Sequence, residues 1–289
     1  MFNIIEKKAI FFIISAIVIV AGIAGYFVNG GFNTDIDFTG GTEIYVNLNA
    51  EFDEMAIRDA LKNVEGVEIS AVQKSDENEA IIKTKELTQE QKVAAQDAIK
   101  AAFEGATILS VDNVSASIGA DLWNNAATSI VIAVILMLIY ITFRFELLTG
   151  ISAVIALCHD MLVMLSVYAL FRIPVNTTFI AAILTILGYS INATIVVFDR
   201  VRENTRFLKK ESFANIVNTS IWQTMARSIN TSVTTLIVLV ALYILGVPSI
   251  KEFALPLIVG VICGCYSSVF LSGNFWVLFK GKGAKVVAK

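Results

Sequence analysis

Charge is scarce in this chain. Only 16% of its 289 residues are charged while 56% are hydrophobic, and the mean hydropathy is +0.72. That balance excludes an ordinary soluble domain. Cysteine is nearly absent too: Cys158, Cys263 and Cys265 all lie within apolar runs. A disulfide framework is therefore not expected, and Cys263 and Cys265, two positions apart, point to different sides of a helix and do not have zinc-ligand spacing. Histidine occurs once, as His159 in the middle of an apolar run, which leaves no base for a hydrolase triad outside the membrane. Neither G-x-x-x-x-G-K-[ST] nor a post-strand G-x-G-x-x-G is found, so no nucleotide site is expected. Catalytic residues, cofactors and a metal are all expected to be absent.

The scarce charges are unevenly placed. Residues 30–122 hold 18 acids and 7 bases, a net of −11, leaving +8 for the rest of the chain. An acidic head on a basic, apolar body is the pattern of a membrane protein whose cationic loops stay in the cytoplasm, and it gives nucleic acid no surface to bind.

Six apolar runs follow the length rule for bilayer spans. They are Ala9–Val28, Ala126–Phe143, Leu147–Phe171, Ile173–Phe198, Ser228–Val247 (with an earlier start near Thr219) and Phe253–Phe279. Lys7 and Lys8 before the first run place the N-terminus in the cytoplasm, and six crossings bring the C-terminus back there. Arg144, Arg200, Arg202, Arg206, Lys209 and Lys210 fall on the same side, whereas the two short outer loops hold only Arg172 and Lys251. The expected organisation is a first span over 1–29, an extracytoplasmic domain over 30–122, five further spans over 123–280 and a basic cytoplasmic tail over 281–289. An amphipathic helix at the membrane surface is expected near 203–219.

Within 30–122 the pattern is α+β. Strand alternation over Thr42–Asn49 is followed by a helix from Asp53, its N-cap, to Val64. Strands at Val67–Gln73 and Ala80–Thr84 precede a capping box, Thr88 with Gln91, that opens a helix to Phe103, and Ala106–Val114 is a last strand. The order β-α-β-β-α-β is that of a ferredoxin-like unit.

Polar residues inside the spans are the candidate functional groups, since lipid penalises them. Gly188, Asn192 and Asp199 share one face of span four, at steps of four and seven. Asp160 is the only acid near the middle of a span, a candidate ion relay or, equally, polar glue between helices. His159 lies ~100° around the helix from it and need not share its face. In span five Ser220, Gln223, Arg227, Asn230, Thr231 and Thr234 recur at steps of three and four, a stripe whose length favours a buried role.

Several stretches together resemble the SecF family, the smaller subunits of the bacterial SecD–SecF auxiliary complex of protein export. They are Asp37-Phe-Thr-Gly-Gly41, Ala156-Leu-Cys-His-Asp160, Tyr189-Ser-Ile-Asn192, the run Val196 to Asn204 that contains Asp199 and Arg200, Gln223-Thr-Met-Ala-Arg227, and Thr231-Ser-Val-Thr-Thr235. The resemblance implies an α-helical bundle of six transmembrane helices, half of an RND-type transporter, carrying the ferredoxin-like domain. It implies location in the bacterial plasma membrane, with SecD, the SecYEG channel, exported unfolded polypeptides and membrane lipid as partners. It also implies help for export driven by a proton or sodium gradient. Arg227, Asp160, Asn192, Gln223 and Thr231 are its ion-coupling candidates. Asp37, Gly40, Gly41, Gly188, Asp199 and Arg200 are its structural or partner motif, the Gly40-Gly41 turn joining the outer domain closely to span one. One position departs from the family pattern: Ala193 stands where an aspartate usually follows the asparagine. Two readings stay open: coupling carried by an acid of the partner, with Asp160 a weaker substitute, or a subunit without coupling of its own. A stand-alone exporter of solutes or lipids is the rival from another class.

Overall fold

A computed structural model describes residues 3–76 and 78–281. The tail over 282–289 lies outside the described residues. Among the described residues six helical spans are long and apolar enough to cross a membrane: Lys8–Val28, Gly119–Arg144, Leu147–Phe171, Thr177–Phe207, Phe213–Leu245 and Ile250–Lys280. They correspond to α1 (Lys8–Val28), α5 (Ala116–Arg144), α6 (Leu147–Phe171), α7 (Thr177–Phe207), α8 (Phe213–Leu245) and the pair α9 (Pro248–Phe270) and α10 (Ser272–Lys280).

Between α1 and α5 lies the inserted domain, termed the outer domain after the side expected for it: α2 (Ile36–Thr39), β1 (Gly41–Asn47), α3 (Glu54–Leu61), β2 (Ile69–Asp76), β3 (Glu79–Thr84), α4 (Gln89–Ala102) and β4 (Thr107–Val114). The sheet order is β2-β3-β1-β4, antiparallel at every pairing, which is the ferredoxin-like arrangement. Local chemistry sets its helix starts. The Asp53 carboxylate accepts from Met55 N, and Thr88 and Gln91 form the reciprocal capping box. Strand alternation turns Ile44, Val46, Val72, Ala80 and Ile82 onto a core shared with Ile57, Leu61, Ala95 and Ile99. The opposite face of the sheet carries Glu43 of β1 paired with Lys83 of β3, and Gln73 of β2, which stands opposite Ile81.

The bundle has two apolar layers. Near the sheet, Met164, Tyr168, Phe179, Ile183, Ile186, Leu257 and Val261 pack together. At the far end Ile4 and Ile5, ahead of α1, pack with Val197, Phe198, Phe213, Ile216, Val217 and Trp276. This second layer corrects the expected surface helix over 203–219. That segment is the last turn of α7, a connection over 208–212, and the first turns of α8, which Ser212 caps through Asn215 N. Phe213, Ile216 and Val217 face the bundle's own interior at 0% exposure, because the N-terminal residues and Trp276 offer a packed apolar surface there.

Helix approach is set by small residues, as expected where lipid gives no hydrophobic drive between helices. A Cβ on Gly22 of α1 would lie 2.1 Å from Ser166 Cβ of α6, whereas a Cβ on Gly188 would meet nothing within 4 Å. Gly22→Ala is therefore expected to destabilise by about 1–3 kcal/mol, the usual cost of overpacking. Gly188→Ala is expected to leave the melting temperature in detergent unchanged. Equal melting of the two variants would show that α1 is not held against α6.

Candidate functional site

The best-enclosed polar cluster surrounds Asp160, which is 1% exposed. Its Oδ2 accepts from Ser190 Oγ of α7 at 2.6 Å and from Ser267 Oγ of α9 at 2.8 Å. Its Oδ1 lies 3.0 Å from His159 Nδ1, and His159 Nε2 lies 2.9 Å from Ser15 Oγ of α1. The two neighbours thus join one network despite the angle between them around α6, because the imidazole reaches back to the carboxylate. Cys263 completes the wall, with Sγ 3.7 Å from the Asp160 carbonyl oxygen. Three spans meet at one carboxylate, and a fourth, α1, reaches it through His159. Ser15, Ser190 and Ser267 carry no warning in the sequence beyond being small polar residues within apolar runs.

A second cluster lies on the α7–α8 side. Gly188 and Asn192 of α7 and Gln223, Arg227 and Thr231 of α8 are exposed on the chain alone, and Ala193 is half-buried. Of the span-five stripe only Ser220 is buried within the chain itself, where it accepts from Asn204 Nδ2 at 2.8 Å. Among the described residues the Arg227 guanidinium has no hydrogen-bond or ion-pair partner, while its carbonyl accepts from Thr231 Oγ1 at 2.9 Å. Below it the network is closed. Gln223 Oε1 accepts from Arg200 Nε at 2.6 Å and from Asn204 Nδ2 at 2.8 Å, and Arg200 also reaches Glu203 at 2.6 Å. Asp199 pairs with Arg144 of α5 at 3.3 Å. α7 runs past Asp199 to Phe207. The structure thus joins Arg200 to Gln223 but keeps Asp160 and Arg227 apart, one sealed in the core and the other on the surface.

The third site is the junction of the outer domain with the bundle. Asp35 caps α2 through Ile36 N at 2.8 Å and pairs with Lys83 of β3 at 2.6 Å, both side chains below 10% exposure. Glu43 adds a contact to Lys83 at 3.5 Å. Asp37 Oδ2 accepts from both the backbone N and the Oγ1 of Thr177, at 2.9 and 2.7 Å. A carboxylate thus sits at the positive end of α7. Backbone bonds Asp35 N to Val175 O and Val175 N to Asn33 O, at 2.9 and 2.8 Å, tie the same linker to the α6–α7 loop. Gly40 has φ +78°, and a Cβ on Gly41 would lie 2.4 Å from Thr84 O. The first glycine permits the turn and the second the close approach of the linker to the sheet.

Three comparisons bear on this arrangement. Residues 94–282 match the family described as protein export membrane protein SecD/SecF, C-terminal. The protein translocase subunit SecF of Acidaminococcus fermentans is 36% identical over 97% of this chain and 98% of its own. The subunit SecDF of Bacillus subtilis is 37% identical over 97% of this chain but only 38% of its own length. The crystal structure of SecDF from Thermus thermophilus, a translocon-associated membrane protein, superposes with a TM-score of 0.84 at 31% identity, again over 96% of this chain and 38% of that one. The six spans, the inserted ferredoxin-like sheet and these near-full-length likenesses lead to one assignment: the chain belongs to the SecF family of protein translocase subunits.

Proposed function

We propose that this chain is an accessory subunit of the Sec protein translocase. It works beside a SecD-type partner to assist gradient-dependent export, and the exposed α7–α8 face is its seat for that partner. One observation carries the reading: Gly188, Asn192, Gln223, Arg227 and Thr231 form a polar face, exposed on the chain alone, at a place where bare lipid would make an unpaired guanidinium costly. The fused relatives support it, since this chain matches only 38% of SecDF from B. subtilis, leaving length there for a second half. The basic residues at the bundle's far end favour cytoplasmic termini, with residues 30–122 outside the cell. The outer domain then meets emerging polypeptide released from a SecYEG-type channel.

Arg227→Ala is the test. The guanidinium holds nothing among the described residues, so the variant is expected to melt like the unmodified protein. It is also expected to lose about tenfold in co-purification with the partner, the effect of a contact worth ~1.4 kcal/mol. Retention of the partner at native yield would overturn the assignment of this face. A second reading, a subunit without ion coupling, is favoured by Ala193, whose methyl group binds neither proton nor cation. It predicts that Ala193→Asp leaves gradient-dependent export in membrane vesicles unchanged. A gain in export would restore coupling to this chain.

A further inference from the structure

The outer domain touches the bundle through the polar face of its sheet, and one contact there reaches three elements at once. Glu252, in the second turn of α9, accepts from Gln73 Nε2 of β2 through Oε1, and from Asn176 Nδ2 through Oε2 at 2.8 Å. Asn176 is the N-cap of α7 and uses its other side-chain atom, Oδ1, to accept from Phe179 N at 3.0 Å. The two oxygens of one carboxylate thus hold the sheet and the start of α7 to the start of α9. Each donor has a carboxylate oxygen of its own, whereas an amide in this place would turn its NH2 group toward one of the two donors. Gln73 and Lys83 are diagonal neighbours on the same sheet face. The sheet therefore offers two donors, and the bundle side answers with two acids, Glu252 and, from the linker, Asp35.

The surroundings favour a movable contact over a sealed one. Glu252 borders a cavity of about 160 Å³ lined by Tyr168, Asn176, Tyr243 and Lys251. Tyr168 is 2% exposed, and its hydroxyl has no hydrogen-bond partner among the described residues, which leaves a polar gap beside the bracket that water can fill. The neighbouring ties differ. Asp35–Lys83 is buried, and the Asp37–Thr177 bonds lie within the linker and α7, so neither connects the sheet to α9.

We propose that Glu252 is a positioning residue that seats the outer domain on the bundle, and that breaking its bonds frees the domain to tilt while the bundle stays folded. A load on the sheet is then delivered to α7 and α9 together, and α7 carries the Gly188 and Asn192 face. The seat itself does not depend on the partner assignment above and can be tested without it.

The experiment uses the full chain in lipid nanodiscs, with the three cysteines replaced by alanine and spin labels at Lys62→Cys in the outer domain and Leu245→Cys at the end of α8. The unmodified seat is expected to give one narrow distance distribution. Glu252→Ala is expected to widen it at least twofold, Glu252→Gln to give an intermediate width, and Arg227→Ala to leave it unchanged. Gln73→Ala removes the same bond from the sheet side without touching the bundle and is expected to widen the distribution as well. It carries the test should Glu252→Ala fail to fold. Native width in Gln73→Ala or in a folded Glu252→Ala would overturn the proposal. So would native width in Glu252→Gln alongside a widened Glu252→Ala, since packing of the side chain and not its paired bonds would then set the seat.

Discussion

Asp160→Ala is expected to cost about 2–5 kcal/mol of bundle stability. A hydrogen bond inside a membrane bundle is worth about 0.6 kcal/mol on average and about 1.7 at most. Three donors converge here on one carboxylate, and the bonds are charge-assisted when it is ionised. Ser267 has a fallback acceptor in the Gly264 carbonyl at 3.3 Å, but Ser190 and His159 would be left facing a methyl group. Asp160→Asn keeps the shape and one acceptor oxygen, and the imidazole can meet the new amide in its other tautomer. It is expected to recover most of the loss. Thermal unfolding in detergent separates the two, and an Asp160→Ala variant that melts with the unmodified protein would show that the cluster holds nothing together. Vesicle export then divides the two roles read for this acid. A structural tie predicts that Asp160→Asn exports normally, whereas an ion relay predicts a stable variant that does not.

Lys83→Met is expected to be the most damaging change in the outer domain, at about 3–5 kcal/mol, because it strands a buried carboxylate. Asp35 and Lys83 are 4% and 7% exposed at their side chains and 2.6 Å apart, too enclosed for water to replace the lost partner. The paired change Asp35→Asn with Lys83→Met removes both charges and is expected to recover most of that cost, as replaced buried pairs generally do. Limited proteolysis of the linker and thermal unfolding report it. A double variant no better than Lys83→Met would mean that the pair is not the source of the loss.

The same pair sets a pH limit. Burial lowers the Lys83 pKa, but the Asp35 charge and hydrogen bond, with Glu252 and Glu43, outweigh it and leave the value above the ordinary 10.5. A lysine raised on folding contributes in full below its unfolded value and loses that contribution as pH rises through the folded one. The Lys83 contribution to the junction is therefore expected to persist across neutral pH and to be lost in strong alkali. Unfolding midpoints that fall between pH 7 and 9 in step with Lys83 would contradict it.

Much of this was legible in local pattern. The capping box at Thr88 and the Asp53 cap are contacts over two and three residues, and the alternation of β1 needs no knowledge of its partners. Where the surface-helix expectation over 203–219 failed, the local pattern was sound: Phe213, Ile216 and Val217 do form an apolar side. What covers that side was not legible, since Ile4, Ile5 and Trp276 come from the two far ends of the chain. The span-five stripe shows the converse. Its members lie together as read, yet Arg227 is exposed among the described residues, because the spacing along one helix says which residues share a face and not what packs on it.

By itself, then, the sequence determined the six apolar spans, the β-α-β-β-α-β order of the outer domain and the positions where polarity interrupts the spans. Helix and strand periods, span lengths and caps are written within a few neighbouring residues. Only the tertiary structure decided that Asp160 is closed in by Ser190 and Ser267, that its neighbour His159 reaches Ser15, and that Glu252 meets Gln73 across 179 positions. Such meetings follow from how helices approach and where their small residues fall, which no stretch of neighbouring residues records.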